Sequence, residues 1–438
     1  MIAGSCYRSR RRVVITGAGW VTPLGTGIQE VWRRLVAGQS GVGPLTLFDA
    51  SRFPVRIAAE VRQWNIADAG EDPADWVGHP RQTLFSIGAG KAAYNSAGLK
   101  DASLNPLRLG IYLGCGEVYP DFEQFAQMTL SSLQAGQVEL PAYIRQALDE
   151  CDPEVERQRE VNMPACYLAG LCNAQGPNVN CVAACVSASQ AIGEAAELIR
   201  YGRADAMLAG GAHSMINPFA ASGFFRLSVL SQADDPQGAM RPFDRERDGF
   251  VIGEGAAMVV LEELEHALRR GAEIWGELTG FGSAQDAYRI TDSHPEGRGT
   301  TRAIAQALDD AQLNVDEIDY INAHGTSTVL NDKTETLALK QVFGRQAYKI
   351  PISSTKSMLG HATTACGALE LVVSVMALRT GVLPPTINYH TPDPDCDLDY
   401  VPNTARQARL RHVMSNSFGF GGQNVALIVS RFEPRPRR

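Results

Sequence analysis

The sequence predicts an α/β protein, and two features of its pattern indicate this class. Short runs of β-branched and apolar residues recur along the 438-residue chain, and longer segments with helical spacing lie between them. The predicted strands are residues 13–16, 109–113, 179–183, 206–208, 258–261, 318–321, 350–353 and 425–429. The predicted helices are residues 28–37, 187–201, 300–311, 334–343 and 365–379.

Glycines mark the ends of several predicted strands. The first strand is closed by Gly17 and Gly19, the second by Gly114 and Gly116, and the strand at 206–208 by Gly210 and Gly211. The helix at 187–201 is supported by apolar residues at helical spacing and by Gly202 after its last turn. Residues 119–162 are more polar and lack a strand pattern, so we expect a helical insertion there.

Composition excludes several classes of protein. The chain is 45% hydrophobic and 20% charged, which suits a globular protein with an ample core. Its net charge of −8 argues against nucleic-acid binding, and no apolar run approaches the ~20 residues that span a bilayer. Nine cysteines without a CxxC pair, and no apolar secretion signal, predict reduced thiols and a cytoplasmic location.

A faint internal repetition predicts two similar halves. Around Cys185 the order is strand, reactive residue, small-residue helix and then an Arg-x-Gly sequence, and the same order recurs around His361. We therefore expect an N-terminal half at 12–271, with the insertion at 119–162, and a C-terminal half at 272–433. The repetition taken alone is weak support.

Cys185 lies where a predicted strand turns into a helix. Small residues surround it, and the free N–H groups and dipole of a helix N-terminus favour a thiolate over a thiol. The alternative is a small buried residue, which is the usual situation of a free cysteine. No Cys/His spacing in the chain supports a metal site.

Three further segments carry candidate reactive residues. His324 directly follows a strand, and Lys356 and His361 lie five residues apart around a glycine-containing turn. Phe418 and Phe420 alternate with glycines in a loop that could move. Each segment alone is also compatible with a purely structural role.

Together the segments resemble the type II β-ketoacyl-acyl-carrier-protein synthases, which are condensing enzymes of the thiolase fold. The matching residues are Cys185, the run from His324 to Thr328, Lys356 with Gly360 and His361, the run from Gly419 to Gly422, the run from Arg241 to Asp244 with Gly249 and Phe250, and the run from Gly253 to Ala256. The resemblance covers nearly all of residues 12–432. It implies two thiolase-like halves in a five-layer αβαβα arrangement.

The resemblance also implies a reaction, the decarboxylative Claisen condensation of malonyl-acyl-carrier-protein with an acyl chain held on Cys185. The backbone N–H groups of Cys185 and Phe420 would form an oxyanion hole, with Phe420 as a gate and Phe418 packed beneath it. Thr326 and Thr328 would bind the pantetheine arm. No metal or organic cofactor is implied, because the substrates are carried on the phosphopantetheine of the carrier protein.

The remaining implied roles concern the histidines and their neighbours. Neutral His324 and His361 would each donate an N–H to the enolate oxygen, while Lys356 would support them with Glu370 as its partner. Two more acidic residues would form a network behind His324, or would lie on the surface. These residues are Asp332 and Glu335.

Acyl carrier protein is the expected partner, together with a second, identical or homologous synthase chain. Because carrier proteins are acidic and this chain is also acidic, docking requires a local basic patch. The candidate patch is Arg226, Arg241, Arg245 and Arg247. We expect the strand at 206–208 to pair with its counterpart across the two-fold axis of the dimer.

Some residues depart from the family pattern and leave the substrate open. They are Glu117, Tyr119 and Asp121 after the second strand, and Thr363, Thr364 and Cys366 after His361. They favour a specialised polyketide or polyene pathway slightly over fatty-acid elongation, and they do not give chain length, unsaturation or a role for residues 117–125.

The main alternative is a non-catalytic chain-length factor, against which the presence of Cys185 argues. Thiolases and initiating synthases are further alternatives with different catalytic residues.

Overall fold

One mixed sheet connects the two ends of the chain in the computed structural model, which describes residues 10–433. The strands are β1 (Val13–Val21), β2 (Gly43–Pro44), β3 (Ile57–Ala58), β4 (Leu109–Cys115), β5 (Leu133–Gln134), β6 (Gln137–Val138), β7 (Asn178–Cys181), β8 (Ala206–Ser214), β9 (Glu254–Glu263), β10 (Gly276–Gln285), β11 (Tyr320–Asn322), β12 (Ile352–Ser353), β13 (Val382–Leu383), β14 (Arg406–Gln407), β15 (His412–Gly419) and β16 (Gln423–Ser430). The α-helices are α1 (Ile28–Val36), α2 (Arg81–Ser96), α3 (Phe122–Ser131), α4 (Leu140–Glu150), α5 (Pro153–Arg157), α6 (Met163–Cys172), α7 (Ser187–Arg200), α8 (Pro218–Arg226), α9 (Leu264–Arg269), α10 (Arg298–Ala311), α11 (Val329–Phe343), α12 (Lys356–Leu359) and α13 (Cys366–Thr380).

The order of strands repeats within the large sheet. Along the sheet the strands run β12-β11-β15-β16-β10-β1-β9-β8-β4-β7. The order divides into two runs of five strands, one from β12 to β10 and one from β1 to β7. If the five strands of a run are numbered by their order in the chain, both runs read 3-2-4-5-1 from the outer edge of the sheet to its centre. The parallel and antiparallel pairings also correspond, and only Val14 and Ile15 of β1 pair with β10 to join the runs.

Helices cover both faces of each run of strands. Helix α2 packs on β1, β8 and β9 from one side, whereas α7 and α13 contact strands of both runs and lie between them. Helix α10 packs on β10 and β16 from the far side. The layers are therefore helix, sheet, helix, sheet and helix, which confirms the predicted αβαβα class.

The central layer contains an apolar helical stretch that could be mistaken for a membrane span. Residues Thr363–Thr380 are long and apolar enough to cross a bilayer, but 89% of this window is buried inside the protein. Helix α13 packs against α7, β9 and β15. The stretch is therefore a core helix.

Two pairs of glycines let the outer helices approach the sheet closely. A Cβ at Gly17 of β1 would lie 2.6 Å from the backbone nitrogen of Ala97, just after α2. A Cβ at Gly19 would lie 2.4 Å from the backbone oxygen of Ala89, within α2. Gly280 and Gly282 of β10 meet α10 in the same way. Both strands also shift register beside these glycines. The first strand of each run is thus shaped for one close helix contact.

One predicted strand has a different position from the one expected. Strand β8, which contains residues 206–208, pairs with β4 on one side and β9 on the other, so both its edges are satisfied. Its apolar residues are needed because it is buried on both faces. The expected pairing of this strand across a two-fold axis is therefore wrong, and the edge of this run is β7.

The segment at 119–162 contains α3, α4, α5 and the β5–β6 hairpin. Several of its large apolar side chains are exposed. They are Phe122, Leu130, Leu133, Val138, Leu140, Ile144 and Leu148. The boundary at residues 271 and 272 falls between α9 and β10, and the division of the chain there stays a prediction.

The glycine contacts lead to a stability prediction. Gly19→Ala should lower the thermal midpoint of unfolding, because its Cβ meets a backbone oxygen that cannot move without displacing α2; overpacking of this kind costs about 1–3 kcal/mol. Gly170→Ala on the exposed side of α6 is the matched control, since nothing lies within 4 Å of its added Cβ. The free energy of unfolding of that variant should rise by up to about 1 kcal/mol, because alanine has a higher helix propensity than glycine. Equal midpoints for the two variants by differential scanning calorimetry would contradict the close contact.

Candidate active site

Cys185 lies in the tight connection between β7 and α7. The preceding residue, Ala184, has φ 46°, a left-handed backbone that non-glycine residues rarely adopt. The N–H of Ala183 donates to Ser187 Oγ at 2.8 Å, which closes the turn. Cys185 is buried, with 7% of its surface exposed, and its Sγ lies 3.2 Å from Nε2 of His361.

Burial controls the protonation of Cys185. It raises the pKa of the thiol to about 11, although the Lys356 ammonium and a hydrogen bond from the Phe420 N–H act in the opposite direction. The expectation that the start of α7 makes this residue a thiolate is therefore wrong for the resting protein. The backbone N–H groups of Phe420 and Cys185 both act to lower the pKa of this thiol, so two backbone donors lie near the sulfur.

Two neutral imidazoles face this thiol. His324 follows β11, His361 follows α12, and their ring centroids lie 5.5 Å apart at an interplanar angle of 84°. Burial, reinforced by the charge of Lys356, lowers the pKa of both rings well below the usual range. Both histidines are therefore neutral at physiological pH, as the sequence analysis expected.

Lys356 fixes the tautomer of His324. Its Nζ lies 3.2 Å from His324 Nδ1, donates to His324 O at 2.6 Å and contacts the carboxylate of Glu370. Glu370 helps to keep the pKa of Lys356 above its usual value in spite of burial, so the lysine stays an ammonium. An ammonium can only donate, so His324 Nδ1 must accept and the proton of the ring must lie on Nε2.

The acidic residues behind His324 are buried. Glu335 accepts from the backbone N–H groups of His324 and Gly325 at 2.9 and 2.8 Å, and burial raises its pKa to about 7. Asp332 accepts from the Phe243 N–H at 2.7 Å. The alternative that this pair lies on the surface is therefore wrong. Glu335 holds the backbone of the His324 turn, whereas Asp332 anchors a neighbouring loop.

Two cavities meet at Cys185. The first, of about 280 Å³, is lined by Thr326 and Thr328, whose hydroxyls lie 2.9 Å apart. The second, of about 480 Å³, extends from Cys185 towards α8 and β8. Phe420 is half-buried and lines both cavities, while Phe418 is buried with its ring centroid 5.8 Å from that of His324.

The same cluster offers ligand atoms for a metal ion. Those of Cys185, His324 and His361 lie within 4.8 Å of one another. The Lys356 ammonium, 3.2 Å from a ring nitrogen of His324, would repel a cation there. The expectation that no metal is used stays a prediction.

One residue of the second cavity was not predicted from the sequence, and one residue of the predicted docking patch has a different position from the one expected. His213, which belongs to no motif, is buried on β8 and lines the second cavity. A histidine just after the glycines predicted to close a strand could have indicated a site residue. Strand β8 instead continues through Gly210 and Gly211, so His213 lies within the strand. Arg247, expected in a docking patch, is buried against Asp332 and Asp393 and cannot contact a partner.

Comparison with known proteins agrees with this architecture. Residues 10–267 match the family described as beta-ketoacyl synthase, N-terminal domain, and residues 275–390 match beta-ketoacyl synthase, C-terminal domain. A solved ketosynthase bound to a hexaketide, in complex with its type II polyketide acyl-carrier protein, has a TM-score of 0.85 and 33% identity, covering 97% of this chain and all of that one. The ishigamide ketosynthase/chain length factor has the same TM-score and coverage at 35% identity.

Curated relatives come from both branches of the family. 3-Oxoacyl-[acyl-carrier-protein] synthase 2 of Coxiella burnetii is 44% identical over 431 residues, covering 96% of this chain and 99% of that protein. The granaticin polyketide putative beta-ketoacyl synthase 1 of Streptomyces violaceoruber is 39% identical over 425 residues, covering 97% and 99%. The chain thus has the thiolase fold of the condensing enzymes and belongs to the β-ketoacyl synthase family. It is an acyltransferase of the ketosynthase type.

The buried thiol leads to a prediction about reactivity. Alkylation of Cys185 by iodoacetamide should accelerate about tenfold per pH unit from pH 7 to 10 without a plateau, because the thiolate fraction rises that steeply below a pKa of about 11. Lys356→Met should slow the reaction at every pH, since the ammonium stabilises the thiolate. Mass spectrometry of the peptide that contains Cys185 measures the rate. A plateau below pH 8 would contradict the dominance of burial.

Proposed function

We propose that the protein catalyses the decarboxylative Claisen condensation of malonyl-acyl-carrier-protein with an acyl chain held on Cys185. The observation that carries this proposal is the approach of Cys185 Sγ to His361 Nε2 at 3.2 Å, beside His324, where two cavities meet. The arrangement offers a nucleophile, two neutral imidazoles and space for two substrate groups.

In the first half-reaction, Cys185 Sγ attacks the carbonyl carbon of an acyl thioester. The backbone N–H groups of Cys185 and Phe420 stabilise the negative oxygen of the tetrahedral intermediate. The bond to the carrier's sulfur breaks, and the proton of the Cys185 thiol ends on that sulfur. The step is therefore neutral overall and leaves an acyl-enzyme.

In the second half-reaction, malonyl carrier protein loses CO₂ and negative charge develops on the thioester oxygen. His324 Nε2–H, fixed by Lys356 at Nδ1, donates to this oxygen together with His361 Nε2–H. The enolate carbon then attacks the acyl group on Cys185. The β-ketoacyl chain leaves on the carrier, and the released sulfur of Cys185 takes up a proton.

The two cavities suggest different roles for their lining. The hydroxyls of Thr326 and Thr328 suit the amides of a pantetheine arm in the first cavity, and the larger second cavity suits the acyl chain. Phe420 borders both cavities, which supports its role as a gate, while buried Phe418 supports the ring of His324. We infer that no cofactor takes part, because the carrier supplies the activated thioesters.

The pathway is fatty-acid or polyketide synthesis. Relatives of both kinds match nearly the whole chain, and the polar residues of the second cavity favour an oxygenated polyketide product.

A non-catalytic chain-length factor is disfavoured, because Cys185 and both histidines are present in reacting geometry. Activated thioesters of this kind are cytoplasmic metabolites, so we propose a cytoplasmic enzyme.

The expected partners are a carrier protein and a second synthase chain. Arg226 lines the acyl cavity and is exposed, as is Arg245, so the proposed docking patch keeps these two residues and loses the buried Arg247. The free edge of β7, with Val179 and Val182 exposed beside it, offers strand pairing and apolar burial to a second chain. We propose a dimer across β7, either of identical chains or with a homologous chain-length-factor subunit.

The first test concerns the nucleophile. Cys185→Ala should abolish acylation of the protein by octanoyl carrier protein, because Cys185 is the thiol placed at both cavities. Cys166→Ala, which removes an exposed thiol elsewhere, should acylate normally. Intact-protein mass spectrometry gives the result, and a stable acyl adduct on the Cys185 variant would refute the assignment.

The second test separates the half-reactions. His324→Ala should reduce malonyl decarboxylation by about 10²–10³-fold, since an oxyanion donor is lost, and should reduce acyl transfer far less. His361→Ala should show the same direction. CO₂ release and acyl loading are measured separately. Equal losses in both assays would mean that the histidines mainly activate the thiol.

A further inference from the structure

The wall of the acyl cavity contains both apolar and polar side chains. Met215, Phe224 and Phe250 form an apolar surface suited to a hydrocarbon chain. The lining of the same cavity also includes a polar patch, which we define as His213, Thr363 and Thr364. A cavity for a plain alkyl chain needs no such groups, because each buried donor that faces a methylene loses its hydrogen bond to water.

The geometry of His213 identifies which of its nitrogens is available. Its Nδ1 contacts the hydroxyl of Thr363, and its Nε2 lies 3.4 Å from the backbone carbonyl of Glu117. A carbonyl can only accept, so the proton of the ring must lie on Nε2 and the Thr363 hydroxyl must donate to Nδ1. At 3.4 Å the Nε2 contact is long, which leaves this buried donor weakly satisfied.

The surroundings hold His213 in this state. The residue is 1% exposed, and burial lowers the pKa of its ring to about 4, so it is a neutral donor at physiological pH. The negative charge of Glu117 acts to raise this pKa, but burial has the larger effect. A Cβ at Gly116 would lie 2.6 Å from Nε2, so only glycine leaves room for the ring.

Thr363 is held in an unfavourable backbone conformation. Its φ of 45° is left-handed, a region that β-branched residues rarely occupy because it strains the backbone. Its hydroxyl nevertheless meets Nδ1 of His213 from this position. Strain of this kind persists at sites where the surrounding structure imposes a particular side-chain position.

We propose that the polar patch selects acyl chains that carry a carbonyl or hydroxyl oxygen, which accepts a hydrogen bond from His213 Nε2–H. The apolar wall packs the carbon chain while the oxygen replaces the long contact to Glu117. A saturated chain would leave the N–H weakly bonded, so it loads more slowly. His213 thus determines specificity and takes no part in bond making. This inference rests on the proposed function, because it concerns the acyl group loaded on Cys185.

The test compares four acyl donors of equal length on pantetheine: octanoyl, 3-oxooctanoyl, 5-oxooctanoyl and 7-oxooctanoyl. With wild-type protein, at least one oxo donor should acylate Cys185 with a kcat/KM about tenfold above octanoyl, the effect of one well-placed hydrogen bond. In His213→Leu this preference should disappear while octanoyl loading is kept or improved. His213→Gln, which retains an N–H donor, should restore much of the preference.

Two controls make the outcome specific. Met215→Leu alters the apolar wall of the same cavity and should change all four donors by the same factor. Thr363→Val removes the hydroxyl that fixes the His213 tautomer, so it should reduce the preference even if His213→Leu fails to fold. Equal loading of all four donors by wild-type protein, or an equal loss for all donors in His213→Leu, would overturn the inference. Failure of every donor to acylate wild-type Cys185 would instead refute the proposed function.

Discussion

The buried ammonium of Lys356 is the constraint on which the active-site geometry depends. A charge with 2% of its side chain exposed is costly unless it is paired, and Glu370 on α13 supplies the opposite charge. The same ammonium donates to the backbone oxygen of His324 and faces Nδ1 of its ring. Lys356 therefore links the loop after β11 to helix α13. It also determines that the proton of the His324 ring lies on Nε2. Removing either partner would leave an uncompensated charge in the core.

The fold brings the reactive residues together by repeating one topology. Cys185 follows the third strand of the first run, and Lys356 and His361 follow the third strand of the second. The helices that follow, α7 and α13, pack against each other in the central layer. The two equivalent strand ends therefore converge, and the cavities form where they meet. Close helix packing at the glycines of β1 and β10 supports this arrangement from outside.

The sequence predicted much of the fold and the reactive residues, because their signals are local. Each predicted strand and helix overlaps an observed one. Cys185 and His324 follow recognisable strand ends, and His361 follows a glycine-containing turn. Strand β10 was not predicted, since its glycines lower strand propensity and their purpose is a helix contact distant in sequence. Helix α2 was missed because it is buried on more than one side and so lacks an amphipathic pattern.

Properties that depend on three-dimensional burial could not be predicted. A helix start suggested a thiolate at Cys185, yet desolvation outweighs that effect and raises the thiol's pKa. Arg247 was expected in a basic docking patch but pairs with acidic residues in the interior. His213 lies near the end of β8, and there it lines the acyl cavity. In each case the decisive neighbours are far away in the sequence.

Lys356 keeps His324 neutral with its proton on Nε2, and the proposed enolate stabilisation depends on this. Nitrogen-15 NMR of protein labelled in histidine measures this directly, with His324→Gln to assign the signal. At pH 7 we predict a protonated Nε2 and an unprotonated Nδ1 for His324, and a mixture of tautomers in Lys356→Met. The surface variant Lys333→Met should match wild type. An imidazolium signal, or a proton on Nδ1 in the wild-type protein, would contradict this role of Lys356.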